Sequence, residues 1–173
     1  DSHPRVANTA LGYLVSQQRT FKDDSNKDLW PEFIRGAVTP AAKKYGLEAK
    51  AGEDGAIAQL RAAVVSRLGF DGEDQNVINK AKEQTQVYLN DPQKVDPYLA
   101  GTYLTLAAFH GDKALLDQFM TTFKTTKDPQ VRTNMLAAMG FFGKPELQKA
   151  VLAYSLTDEV TASDMRTILS GQS

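Results

Sequence analysis

The feature that most constrains this chain is its punctuation. Asp91-Pro92, Asp96-Pro97 and Asp128-Pro129 recur along it, together with a Gly111-Asp112 step. An aspartate can accept hydrogen bonds from the free amides at a helix start, and proline tolerates the first helical position because that amide has no partner anyway. Glycine just past a periodic segment marks a helix end. Between these marks the larger apolar residues recur at three- and four-residue steps, the period of a helix with one buried stripe.

Ile57, Leu60, Val64 and Leu68 form such a stripe over residues 56–68, with Arg61 and Arg67 off it. Gly69 stands where a left-handed cap is favoured, and Asp71 to Asp74 place carboxylates at the positive end of the next helix. That helix, 73–89, carries Val77, Ile78, Ala81, Tyr88 and Leu89, and Asp91-Pro92 stops it. Asp96-Pro97 opens a helix through Leu99, Tyr103 and Leu106 to Phe109, and Gly111-Asp112 closes it and caps one bearing Leu115, Leu116, Phe119, Met120 and Phe123. Asp128-Pro129 begins a helix with Val131, Met135 and Met139, which Gly143 breaks. Pro145 starts one with Leu147, Val151 and Leu152, and Ser163-Asp164 caps the last, ending at Gly171.

No strand-period alternation is long enough to compete. Helix starts near Ala56, Asp96, Pro129 and Ser163 are spaced by roughly 33 to 40 residues, as when helix pairs stack into a solenoid. Phe109-His110-Gly111 with Leu115 is echoed by Phe141-Phe142-Gly143 with Leu147. The expected fold is therefore all-α: antiparallel helix pairs stacked as a HEAT/ARM-like α-α superhelix with no sheet. A single helical domain over residues 1–173 is expected, with repeated pairs over 51–173. Residues 1–50 form a less regular lead-in, with helices over 7–18 and 29–45, the second interrupted near Thr39-Pro40.

At 173 residues and 42% hydrophobic content, such a chain can fill a core without metals or disulfides. Twenty basic against 21 acidic residues leave a net charge of -1, with no surplus to draw nucleic acid or anionic lipid. Neither is expected as a partner. The absence of cysteine excludes disulfides, thiol nucleophiles and cysteine-ligated zinc but leaves the compartment open. No apolar run approaches the roughly 18 residues of a membrane span, the first residues lack a signal-peptide layout, and the chain is expected to be soluble. It begins at aspartate, so sequence upstream is expected.

The candidate chemistry resolves into structural roles. His3 and His110 lack the paired spacing of zinc ligands on a helix, and no His-Glu-x-x-His is present. Asp71, Glu73 and Asp74 resemble the start of a calcium loop, but Asn76 and Lys82 fall where that loop needs glycine and glutamate, which favours helix capping. Gly69 and Gly72 follow no strand and make no phosphate loop, and Ser66 and Ser155 have no triad partners. Asp23-Asp24 and Asp158-Glu159 read as solvated surface, and the Phe119, Met120, Phe123 stripe reads as core. Lys43-Lys44 is too short for a basic patch, and Trp30 is open between packing anchor and interface residue. No catalytic, cofactor-binding or metal-binding residue is assigned.

The order of landmarks from about residue 27 onward resembles the C-terminal helical domain of zinc aminopeptidases of the aminopeptidase N type. Its carriers are Tyr45-Gly46, Leu60-Arg61 leading to Gly69, Val95-Asp96-Pro97, Gly111-Asp112, Arg132 with Met135-Leu136 and Met139, Leu152-Ala153-Tyr154-Ser155-Leu156, and Val160 before Asp164. Neither the zinc motif nor the Gly-x-Met-Glu-Asn loop of that family occurs here. The resemblance implies a non-catalytic piece of a larger enzyme, about half of its last domain, forming a concave wall that covers the active site and limits peptide access. Its implied partners are the catalytic domain of the same chain, which would hold the zinc, and the peptide substrates of the parent enzyme, which would lose N-terminal residues. A free-standing α-solenoid that grips a protein partner is the alternative.

Overall fold

A computed structural model describes residues 3–50 and 52–170. Among the described residues it is all-α, with no strand. The helices are α1 (Pro4–Phe21), α2 (Trp30–Tyr45), α3 (Gly55–Phe70), α4 (Gln75–Asn90), α5 (Pro97–Phe109), α6 (Lys113–Thr125), α7 (Pro129–Met139), α8 (Pro145–Ser155) and α9 (Ala162–Ser170). Short 3-10 turns at Lys27–Leu29 and Pro92–Lys94 precede α2 and α5. The expected end of the last helix at Gly171 lies outside the described residues.

The chain divides into two compact units, residues 1–79 and 80–173, with the boundary inside α4. In the first unit α3 packs on both α1 and α2. Its burial follows: Ala58, Leu60, Arg61, Val64, Val65, Leu68 and Gly69 are all buried, a wider face than a single stripe. In the second unit α7 packs against α5, α6 and α9. There α5 and α7 begin at Pro97 and Pro129, 32 residues apart, and α6 and α8 at Lys113 and Pro145, again 32 apart, so the repeat is regular. Leu104, Leu106, Leu116, Phe119, Met135, Met139, Val151 and Ile168 are fully buried in its core. The Phe119 and Phe123 stripe is core, with Phe119 set against Phe142 edge to face at 5.9 Å.

The caps follow the aspartates. Asp54, Asp96, Asp112 and Asp128 each accept a hydrogen bond from a first-turn amide of the helix that follows. Asp74 does the same for α4, accepting from the amides of Asn76 at 3.0 Å and Val77 at 3.2 Å.

Several expectations are corrected. The helix over Trp30–Tyr45 is not interrupted at Pro40. Proline removes one amide donor, but Ile34 and Val38 are buried in the preceding turns and hold the helix to its neighbours. Gly69 is not a left-handed cap; it lies buried inside α3, which continues to Phe70. The left-handed residue is Glu73, at φ 49°, four positions later. Gly72 is the glycine that matters in this turn, because a Cβ there would come within 2.8 Å of the Leu68 carbonyl oxygen. The last helix is capped by Thr161 rather than Ser163. The Asp164 amide donates to Thr161 Oγ1 at 3.2 Å and the Thr161 amide donates to Asp164 Oδ2 at 3.1 Å, a reciprocal capping box.

Candidate functional site

The chemically distinctive parts of the molecule are a buried arginine cluster, a partly exposed polar cluster and one groove. In the first unit Arg61, off the apolar stripe in sequence, is one of the most buried side chains, 1% exposed. Its guanidinium forms a two-pronged pair with the Glu53 carboxylate and also donates to the carbonyls of Tyr45 at 3.0 Å and Gly46 at 3.3 Å. Gly46 ends α2 with φ 75°, a left-handed value that spares a side chain and turns its carbonyl to Arg61. Hydrogen bonds from Arg61 hold the Glu53 carboxyl below the usual glutamate range. One side chain thus ties the loop between α2 and α3 to the interior.

In the second unit Arg132 lies over the Phe123 ring at 3.8 Å, donates to the Phe123 carbonyl at 3.3 Å and pairs with Asp164 at 3.0 Å. Burial pushes the Asp164 carboxyl up, but the Thr161 amide and hydroxyl and the Arg132 guanidinium together hold it below the ordinary range. Nearby, Glu159 takes hydrogen bonds from Lys124 and from the Tyr154 hydroxyl. These hold Glu159 low, while burial and the neighbouring carboxylate push the Tyr154 phenol up to about 12. Asp158 and Glu159 are exposed, as expected of solvated surface, and Glu159 also joins a surface network. Asp23 and Asp24 are exposed, Asp23 accepting from Ser25 and Asp24 pairing with Lys27.

The groove, of about 700 Å³, also lies in the second unit. Tyr88 from the last turns of α4 lines one side, with Pro97, Gly101 and Thr105 presented by one face of α5 and Gln130 and Asn134 by one face of α7. Asp128, the α7 cap, sits at its end and is the one formally charged side chain among the described lining residues. Gln130 Nε2 donates to Asn134 Oδ1 at 3.0 Å, and Asn134 Nδ2 donates to Tyr88 Oη at 2.8 Å. Burial, with the Asp128 charge adding to it against the Asn134 bond, pushes the Tyr88 phenol upward.

Trp30 is 8% exposed and packs against Phe33 with the rings tilted and their centres 5.1 Å apart, which makes it a packing anchor. The Ser155 hydroxyl donates to its own helix at Leu152. Asp71 pairs with Arg67 at 2.8 Å, so the acidic turn splits between an ion pair and the Asp74 cap. His3 lies before α1 and His110 at the end of α5. No group of three or more His, Cys, Asp or Glu side chains that could hold a metal ion occurs among the described residues. No described helix is long and apolar enough to cross a membrane.

The model of the ERAP1-like C-terminal domain matches residues 1–173. Aminopeptidase M1 of Arabidopsis thaliana is 27% identical over 158 residues, which cover 87% of this chain and 18% of that protein. The chain thus spans under a fifth of that protein's length.

Proposed function

Since the chain belongs to the ERAP1-like C-terminal domain family, the helical C-terminal domain of aminopeptidase N-type enzymes, we propose that it serves as the non-catalytic wall of a zinc aminopeptidase, covering the active site and limiting which peptides reach it. The family match over the whole length carries this reading. The all-α build with a regular 32-residue repeat supports it, because stacked helix pairs present extended surfaces that loops and short peptides can lie along. The catalytic domain of the same polypeptide would supply zinc and the chemistry of N-terminal residue release. This segment would supply surface, and closure over a bound peptide would exclude water and bulky substrates.

The test is made in the longer enzyme, with and without residues 1–173. The intact enzyme is expected to cleave a short peptide and spare the N-terminus of a folded protein, while the truncated one cleaves an aminoacyl-p-nitroanilide but loses that discrimination. Unchanged discrimination, or zinc-dependent turnover by the 173-residue chain alone, overturns the reading.

A further inference from the structure

Helix α2 turns a stripe of apolar residues to solvent. Leu29 at its N-cap is 66% exposed and Phe33 is 52% exposed, and the exposed Ala37 and Pro40 follow them at three- and four-residue steps, the spacing of one helix face. Gly36 lies next to this stripe with open space around it, since a Cβ there would meet nothing within 4 Å. Along Ala37, Pro40 and Ala41 the surface sinks into a hollow of about 290 Å³, whose far side is Ala7, Ala10 and Leu14 of α1.

Charge is laid out along the same face. Glu32 in the first turn and Lys43 in the last are both exposed, and the eleven positions between them, about three turns, put them on one flank of the stripe. An acid at the start and a base at the end suit the helix dipole. The dipole gives no reason for the apolar row between them, which is left in water.

The pattern is its own complement. Positions 32 and 43, and likewise 33 and 40, are centred on Ala37 to within half a residue. A second copy laid antiparallel, with the two-fold axis passing at Ala37, therefore brings Glu32 against the partner's Lys43 and Phe33 against the partner's Pro40. A parallel copy would set acid beside acid. At the crossing stand Gly36 and Ala37, small enough for the two backbones to come close. The half-exposed Phe33 ring finds the hollow beside the partner's Pro40, which takes an aromatic side chain out of water.

We propose that this face of α2 is a self-association surface, on which two copies of the chain pair antiparallel through Glu32, Phe33, Gly36, Ala37, Pro40 and Lys43. The contact is one helix wide, so the dimer is a weak one. It is independent of the role of the chain as a wall, and either can fail while the other stands.

The test is sedimentation equilibrium of the 173-residue protein, from about 10 µM to about 1 mM in about 0.05 M salt, where exposed charges are little screened. A monomer–dimer equilibrium with a Kd on the order of 100 µM or tighter is expected. Glu32→Lys and Lys43→Glu should each weaken it about tenfold, because the two-fold axis doubles every lost pair. Both changes in one chain should restore it. So should an equimolar mixture of the two single variants, in which each chain carries the charge that the other needs. Phe33→Ala should also weaken association about tenfold; if it unfolds the chain, the exposed charge variants still decide. A monomer up to about 1 mM leaves this face to another part of the longer polypeptide and overturns the proposal. A dimer indifferent to both charge reversals overturns it too, as does a loss that neither the double variant nor the mixture recovers.

Discussion

Arg61 shows what a single buried charge can do in a helical chain. Its guanidinium has no water to fall back on, and its partners come from Glu53 and from the end of α2. Arg61→Met is therefore expected to lower the melting temperature by roughly 10 °C, read by circular dichroism, because it strands a carboxylate and two carbonyls at once. Arg61→Lys should recover little of that loss, since an ammonium cannot match the two-pronged geometry. Tyr154 carries a second expectation. Its phenol titrates at about 12 in the fold against an ordinary 10.0, so its contribution to stability is whole below pH 10 and is lost as pH rises toward 12. Phenolate absorbance should show a late-titrating component that Tyr154→Phe removes. Neither role was legible in the sequence. Arg61 reads there as an off-stripe residue, because its partners lie 8 to 16 positions away in a loop that only tertiary packing brings back, and Tyr88 meets Asn134 across 46.

At the scale of elements the sequence was far more transparent, since a cap is local chemistry. Asp96, Asp112 and Asp128 cap the helices their dipeptides announced, and Asp112→Ala is expected to cost about 1 kcal/mol in urea unfolding. Conversely, α8 starts after Lys144 with no side-chain cap, so Lys144→Asp should add about 0.5 to 1 kcal/mol. The misread signals are those where neighbours overrule the local rule. Gly69 looked like a stop, yet it is buried and α3 continues past it, and Pro40 looked like a break, yet Ile34 and Val38 in the turns before it are buried and hold α2 to its neighbours. Glycines divide the same way. Gly36→Ala on α2, where a Cβ meets nothing within 4 Å, should stabilise by about 0.5 to 1 kcal/mol, and Gly111→Ala should destabilise because its Cβ would meet backbone at 2.9 Å.

For the whole molecule, the net charge of -1 matters less than where the perturbed carboxylates lie. Glu53 in the first unit and Glu159 and Asp164 in the second are all held low. Each contributes stability that is present above its ordinary value, 4.5 for the glutamates and 3.8 for the aspartate, and is lost as pH falls through the lowered folded value. Urea midpoints are therefore expected to fall below about pH 4, and Glu53→Gln should flatten part of that slope. Trp30 is the one tryptophan and sits in the first unit, so its fluorescence reports that unit while far-UV ellipticity reports both. In Asp164→Ala the ellipticity should fall at lower urea than the fluorescence; coincident curves would mean the two units unfold as one. Fold class and repeat could be read from the chain because both are periodic, while the groove could not, since it exists only where α5 and α7 lie side by side.

The echoed turns after α5 and α7 meet in space. A Cβ on Gly111 would strike the Phe142 ring at 3.0 Å, and one on Gly143 would strike the Phe109 carbonyl at 2.8 Å and its ring at 3.3 Å. Each copy of the motif is thus the mould for the other. A residue inserted in either one would unseat both, so drift in length among relatives should gather elsewhere, and these two joints should keep the repeat in step like paired teeth on a gear.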